Sequence, residues 1–182
     1  MPAGQQRWVR FAGSILIVAI VFLLAPCAAR AQDQDRPSAF WDVTKRIVFD
    51  PTTYAPAIIG YDATMRDWNS SQPFFRNGFM EHNPRFTMSG LSDDFALSYG
   101  AGRKRILSDA IGNLELSLAN NLVDQVFERT LISKYPNHRK LVRTLGWIER
   151  ISFASYMSYR LSAAHYRQWQ FNEQRAGQLG LK

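Results

Sequence analysis

The sequence predicts an all-α protein, in which a long two-helix hairpin packs with two shorter N-terminal helices and an aromatic-rich loop, preceded by a signal peptide. Apolar residues in the C-terminal half recur at intervals of three and four positions, which is the period of a helix with one buried face. No segment alternates β-branched and polar residues, and no Asn-Gly pair is flanked by strand patterns. A sheet is therefore not expected.

The composition limits the class of protein before any motif is considered. With 182 residues, the chain is long enough for one domain and too short for a large multidomain enzyme. Its single cysteine, Cys27, excludes an intramolecular disulfide framework and a cysteine-based zinc ribbon. The net charge is +7, and three of these charges are arginines in residues 1–31, which contain no acid. The remaining excess is too mild to indicate a nucleic-acid partner.

Residues 1–31 have the order of a secretory signal. A basic start is followed by an apolar run from Phe11 to Ala25, and Ala29 and Ala31 are the small residues that signal peptidase reads. We expect cleavage after Ala31 and a periplasmic or secreted protein. The alternative is an uncleaved anchor in the inner membrane, because residues 11–29 carry no charge and would extend about 28 Å as a helix.

The two N-terminal helices have recognisable starts. Ser38 is a favourable N-cap for a helix that runs to about Phe49. Asp50 is a second N-cap, and Pro51 suits the first position of a helix that is expected to stop near Asn69. The predicted division of the chain is a signal peptide (1–31), a flexible lead (32–37), a single helical domain (38–176) and a tail (177–182).

The aromatic loop and the hairpin follow. Residues 70–94 lose helical periodicity but hold many phenylalanines, so we expect this loop to be held against a helical face. Two long helices are predicted on either side of the break at Pro136, because proline disfavours helix in the residue before it. The stripes expected to form the seam between them are Leu107, Ile111, Leu114, Leu118, Leu122 and Val126 in the first helix, and Leu141, Leu145, Ile148 and Ser152 in the second.

Glu81 and His82 form the short stretch with the most reactive side chains. If the loop covers a pocket, these two residues and His165 could serve proton transfer in a small helical hydrolase. The competing interpretation is a turn at Asn83-Pro84, since neighbouring residues usually point apart. The three histidines lie in separate segments without metal-ligand spacing, and no phosphate or dinucleotide motif occurs, so neither a metal site nor a cofactor is expected.

The predicted hairpin turn is strongly basic. Four fixed positive charges lie next to a histidine, with no acid between Ile132 and Trp147. The residues concerned are Lys134, His138, Arg139, Lys140 and Arg143. Such a cluster is either a solvated helix end or a binding surface for anionic lipid or an acidic envelope polymer. We therefore expect a non-catalytic binding module of the bacterial envelope whose partner is an envelope protein, anionic lipid or polymer, with the hydrolase as the alternative.

Overall fold

The computed structural model describes residues 39–181. Four α-helices account for most of these residues, and the prediction of an all-α fold is confirmed. The helices are α1 (Ala39–Val48), α2 (Ala55–Arg76), α3 (Tyr99–Lys134) and α4 (Arg139–Leu179), with 3₁₀ turns at Pro51–Thr53 and Pro136–His138. Within the described residues the only extended pairings are two isolated antiparallel bridges in the loop between α2 and α3. The predicted signal peptide and flexible lead lie outside the described residues.

Chain contacts divide the protein into two compact units, one ending at Phe49 and the other beginning at Asp50. In the first unit, α1 carries an ion pair one helical turn apart, with Arg46 Nε 3.4 Å from Asp42 Oδ2. The ammonium of Lys45 lies over the ring of Trp41, 5.4 Å from its centroid. The remaining description concerns the second unit, residues 50–181.

Short polar side chains begin two elements of the second unit. Asp50, which was predicted to cap the second α-helix, caps a 3₁₀ turn instead, and α2 begins only at Ala55 without a side-chain cap. Asp50 Oδ1 accepts a hydrogen bond from Thr52 N at 3.0 Å and so caps the first 3₁₀ turn. Ser98 Oγ accepts from Ala101 N at 3.4 Å at the start of α3. That helix ends at Lys134, immediately before the break at Tyr135-Pro136.

Helix α2 is longer than predicted. It was expected to stop near Asn69, but it continues through Pro73 to Arg76. A proline in the last turn removes one backbone hydrogen bond, and Asn77 Nδ2 donates to Pro73 O at 2.8 Å to close that turn. The predicted loop accordingly begins at residue 77 rather than 70. Helix α4 also extends beyond its predicted end, to Leu179.

Small residues allow α2 to lie close to α4. The buried positions of α2 include Ala57, Gly60 and Ala63, which recur on one face of the helix. A Cβ added to Gly60 would lie 3.1 Å from Leu161 Cβ, so the backbone of α2 approaches the side chains of α4 directly. The facing positions of α4 are also small, and they are Ala154, Ser158 and Ser162. Cross-helix contacts pair rising residue numbers in both helices, so α2 and α4 run parallel.

The apolar core is confined to one end of α2. Trp68 is only 4% exposed and packs with Phe86 of the loop and Ile106 of α3. The Trp68 and Phe86 ring centroids are 5.3 Å apart, so at least this phenylalanine holds the loop against helical residues. Phe75 completes the aromatic cluster at 5.5 Å from Trp68.

The predicted hydrophobic seam between the long helices is absent on α4, where all four stripe residues are exposed, and it is partial on α3, where Leu114, Leu118, Leu122 and Val126 are half-buried. Leu107 is 52% exposed and Ile111 is 49% exposed, while Leu141, Leu145 and Ile148 are exposed on α4. The buried positions of α3 beyond Ile106 are instead polar, and they are Ser117, Asn121, Gln125 and Glu128. Apolar residues at helical spacing predict a face that is shielded from water. They do not indicate whether this chain or a binding partner shields it.

Candidate functional site

A buried ion network joins the start of the unit to both long helices. Arg150 of α4 lies 3.0 Å from Asp50 Oδ2 through Nε, and its Nη1 contacts Asp124 and lies 3.5 Å from Glu128 Oε2. All four side chains are largely buried. A Cβ at Gly146 would lie 2.9 Å from Glu128 Oε2, so a glycine provides room for the carboxylate. The network explains why the interior of the hairpin is polar.

A groove is formed by the second half of α2, the following loop and the last third of α4. Its volume is about 470 Å³. Asp67, His165 and Asn172 form its polar wall, while Glu81 and His82 are contributed by the loop. Aromatic side chains form much of the remaining wall. The three predicted hydrolase residues, Glu81, His82 and His165, thus all line one groove, although their catalytic role stays a prediction.

Asp67 is the centre of the polar wall. His165 Nδ1 lies 2.7 Å from Asp67 Oδ2, and Asn172 Nδ2 lies 3.3 Å from Asp67 Oδ1. A neutral imidazole that donates from Nδ1 to this carboxylate presents Nε2 as an acceptor. Asn172 is buried and also donates to Ser71 Oγ at 2.9 Å, while its Oδ1 accepts from Gln168 Nε2 at 2.8 Å. Because these bonds fix both partners of the carboxylate, Asp67 is held in one orientation.

Glu81 is a half-buried carboxyl that the loop contributes to the groove. Its Oε1 accepts a hydrogen bond from Asn83 N at 2.8 Å, and its backbone pairs with Asp94. Burial is the main cause that raises the pKa of Glu81 above its usual value, and the negative charge of Asp67 adds to the effect. Glu81 therefore keeps its proton to a higher pH than an ordinary glutamate does.

His82 points away from its neighbour. Its side chain is 85% exposed, and Nδ1 pairs with Asp93, whose positive φ of 60° turns the loop back. Glu81 faces the groove, whereas His82 lies at its edge. The adjacent pair therefore does not form the proton-transfer unit considered from the sequence.

Only part of the basic turn is exposed to solvent. Lys134, His138, Arg139 and Lys140 are exposed. Arg143, in contrast, has Nε 3.8 Å from Glu128 Oε1, so it leans towards the buried ion network. Three fixed charges and a histidine remain at the surface of the predicted anionic-binding cluster.

Asp67 and Asn172 are site residues that sequence reasoning did not identify. Asp67 directly follows Arg66, which forms an ion pair with Asp62 at 2.8 Å. A position next to such a pair is typical of one more charged residue on the helix surface. Asn172 lies 105 positions from Asp67, and nothing local distinguishes it from other polar helix residues.

Among residues 39–181, no group of His, Asp, Glu or Cys side chains is arranged to hold a metal ion.

Comparisons of the chain with protein-family models, with curated proteins and with solved structures found no match in any of the three. The class of protein that the fold defines is an all-α protein with a polar helix interface and a polar-and-aromatic groove. Function therefore has to be argued from the surface and the groove themselves.

Proposed function

We propose that this chain is a non-catalytic binding module of the bacterial envelope that docks on an anionic lipid surface through the outer face of α3 and the basic turn. The observation that carries the proposal is the exposure of large apolar residues along α3. Leu107, Ile111, Leu116, Val123 and Phe127 are all close to half exposed or more. At the 3.6-residue period of an α-helix, Leu116, Val123 and Phe127 lie within about 40° of one another on one side of α3, whereas Leu107 and Ile111 lie on its other flank. Exposed apolar residues grouped on one side of a helix are typical of an interaction surface.

The charges on α3 support lipid as the occupant. Between Ile106 and Ile132 the exposed residues of this helix include two charged ones, Glu115 and Arg129. Basic clusters bracket that stretch, with exposed residues 103–105 at one end and Lys134 at the other. An apolar patch about 17 Å long, formed by Leu116, Val123 and Phe127 and placed between cationic ends, favours a surface that carries anionic groups.

The aromatic residues of α4 support the same proposal. Exposed Trp147, Tyr156 and Tyr159 add aromatic rings of the kind enriched at membrane interfaces. None of the helices within residues 39–181 has an apolar stretch long enough to cross a bilayer.

Co-sedimentation with vesicles tests the proposal. The purified protein is mixed with anionic and with neutral phospholipid vesicles, and the double variant Val123→Ser/Phe127→Ser is compared with wild type. Phe95→Ser is the matched control, because Phe95 and Phe127 are both 62% exposed but only the latter lies on α3. We expect wild type and Phe95→Ser to bind anionic vesicles and the double variant to bind at least about fivefold more weakly, because burying each side chain contributes about 1.5–3 kcal/mol.

A protein partner is the competing occupant of this face. Equal vesicle binding by all three proteins, or by anionic and neutral vesicles alike, contradicts lipid docking through α3. Sedimentation velocity on the same samples then shows whether the double variant disrupts a complex between copies. A dimer lost in the double variant would assign the face to self-association instead.

The groove supports a hydrolase as a second candidate function. Glu81 and the Asp67–His165 pair line the groove together, and a carboxyl whose pKa is raised by burial suits general acid–base work. No serine or threonine hydroxyl hydrogen-bonds His165 within residues 39–181, so a nucleophile of the serine-hydrolase type is not assembled. Hydrolysis of chromogenic ester and glycoside substrates by wild type, and its loss in Glu81→Gln and Asp67→Asn, would favour this candidate over simple binding.

A further inference from the structure

We propose that the groove is a binding site for an organic ammonium ligand, that is, a protonated amine attached to an apolar or aromatic body. The inference is independent of lipid docking, because the groove is formed by α2, the loop and the end of α4, whereas the lipid-facing residues lie on α3. It rests on three observations: paired carboxyls, converging helix ends and aromatic walls.

Two carboxyl groups line the groove, that of Asp67 from α2 and that of Glu81 from the loop. Asp67 is held by His165 at 2.7 Å and by Asn172 at 3.3 Å, and Glu81 is held by the backbone of Asn83 at 2.8 Å. Their mutual repulsion is unfavourable when both are ionised. A cation between them relieves that repulsion and gains charge-assisted hydrogen bonds to both.

The helix ends add negative potential at the same place. Helices α2 and α4 run parallel, and both end beside the groove, α2 at Arg76 and α4 at Leu179. The aligned peptide dipoles give the C-terminal end of a helix a partial negative charge, and this remains although capping groups bond carbonyls in the last turns of α2 and α4. Two such ends at one groove favour a cationic over an anionic ligand.

Aromatic rings supply the apolar part of the site. The rings that line the groove are those of Trp68, Phe74, Phe75, Phe79, Phe86 and Phe171. Phe74 and Phe79 meet edge to face at 5.6 Å between centroids, which leaves the face of one ring open to a neighbour. Faces of aromatic rings attract ammonium groups and bury apolar substituents.

Each positive group that lines the groove has a partner other than Glu81. His165 is paired with Asp67, and His82 is paired with Asp93 of its own loop. Arg175 of α4 also lines the groove, but its side chain is exposed, so solvent and salt screen its charge, and it donates to Gln178 Oε1 at 3.4 Å. Asp94, the bridge partner of Glu81, is engaged with Ser89 N at 3.0 Å. No described cation therefore bonds to Glu81, whose charge is left for a ligand.

Isothermal titration calorimetry with two probes of similar shape tests the inference. Phenethylammonium carries the cation, and 2-phenylethanol replaces the ammonium by a neutral hydroxyl. We expect the ammonium to bind wild type about tenfold or more tightly than the alcohol at pH 7, the range for hydrogen bonds to charged groups. Glu81→Gln should lose that preference, whereas Glu115→Gln, an exposed carboxyl of α3, should retain it.

A second measurement keeps the inference testable if Glu81→Gln does not fold. Because ligand binding favours the ionised form of Glu81, wild type should release protons when it binds the ammonium at about pH 5. The heat of binding then changes with the ionisation enthalpy of the buffer. Equal affinity for the two probes, no change in Glu81→Gln, or binding without proton release would each overturn the assignment.

Discussion

The indole of Trp68 lies directly against the backbone of Gly102, so that a side-chain carbon at residue 102 would overlap the ring. Trp68 also donates from Nε1 to Tyr99 O at 3.4 Å, one turn earlier in α3. This contact fixes the start of α3 against α2 and positions the floor of the groove, which Trp68 lines. The glycine is thus required by a close approach rather than by a turn.

Gly102→Ala should destabilise the protein by about 1–3 kcal/mol, because the added methyl group overpacks the contact with Trp68. Gly112→Ala is the matched control in the same helix, since nothing lies within 4 Å of its added Cβ. That change should instead stabilise by up to about 1 kcal/mol through helix propensity. Urea denaturation of both variants checks the opposite signs, and a common sign would contradict the packing at Trp68.

The start of α3 and the break between the long helices could be predicted from the sequence, whereas the ends of α2 and α4 and the pairing of helix faces could not. Ser98, Asp50 and Pro136 act on their own neighbours, so their effect is visible locally. The seam depends on Arg150, which selects a polar face of α3 through Asp124 and Glu128. The sequence around Arg150 does not indicate that this side chain has three buried carboxylate partners.

The candidate site shows the same limit. Glu81 and His165 were identified because their side chains are chemically distinctive. Asp67 and Asn172 were missed because their role arises only when α2 and α4 lie parallel, more than a hundred positions apart in the chain. Pairing over such a distance carries no signal in a single sequence.

Arg150→Met should destabilise the protein by about 3–5 kcal/mol, because it leaves three buried carboxylates without their cation. Arg160→Met, at an exposed position of the same helix, is the control and should change stability by less than about 0.5 kcal/mol. Chemical denaturation followed by circular dichroism compares the two. If both variants unfold at the wild-type midpoint, the buried network does not hold the helices together.

The exposed stripe of α4 should tolerate polar substitution. Leu145 lies on the opposite side of the helix from Arg150 and is exposed, so Leu145→Ser is expected to change stability by less than about 1 kcal/mol. Ala154→Leu, at a buried small position of the same helix, should cost about 1–3 kcal/mol by overpacking. Melting temperatures give the comparison. A large fall in the melting temperature of Leu145→Ser would instead favour the apolar seam expected from the sequence.

Glu81 should make the protein less stable as pH rises. Its folded pKa lies above the usual 4.5, mainly because of burial, so the folded protein keeps a proton that the unfolded chain has already lost. The contribution is fully favourable below 4.5 and is lost as pH rises through the folded pKa. Glu81→Gln should remove this pH dependence, and free energies of unfolding between about pH 4 and pH 7 measure it.

Asp62 supplies a control of opposite sign. Hydrogen bonds from Arg66 and Tyr166 lower the pKa of Asp62 below 3.8, so its contribution is present above that value and is lost as pH falls through the folded pKa. Asp62→Asn should therefore flatten only the acid side of the stability profile. The assignment to Glu81 fails if Glu81→Gln and Asp62→Asn alter the same part of the curve.

The basic turn should contribute to lipid binding through Arg139 and Lys140 rather than through Arg143. The first two are exposed, whereas Arg143 Nε lies 3.8 Å from Glu128 Oε1. A cation close to an anionic membrane contributes about 1 kcal/mol, so Arg139→Glu/Lys140→Glu should weaken binding to anionic vesicles at least about tenfold.

Arg143→Gln should have the opposite profile, with lower stability and less than about a threefold change in vesicle binding, because the residue serves the buried network. Co-sedimentation at about 0.1 M and 1 M salt separates the two effects, since the Debye length falls from about 10 Å to about 3 Å over that range. Wild type should lose most of its electrostatic binding in high salt, while Arg139→Glu/Lys140→Glu should change little. If Arg143→Gln weakens binding as much as the double reversal does, all four cations of the turn act together on the lipid surface and the division proposed from Glu128 is wrong.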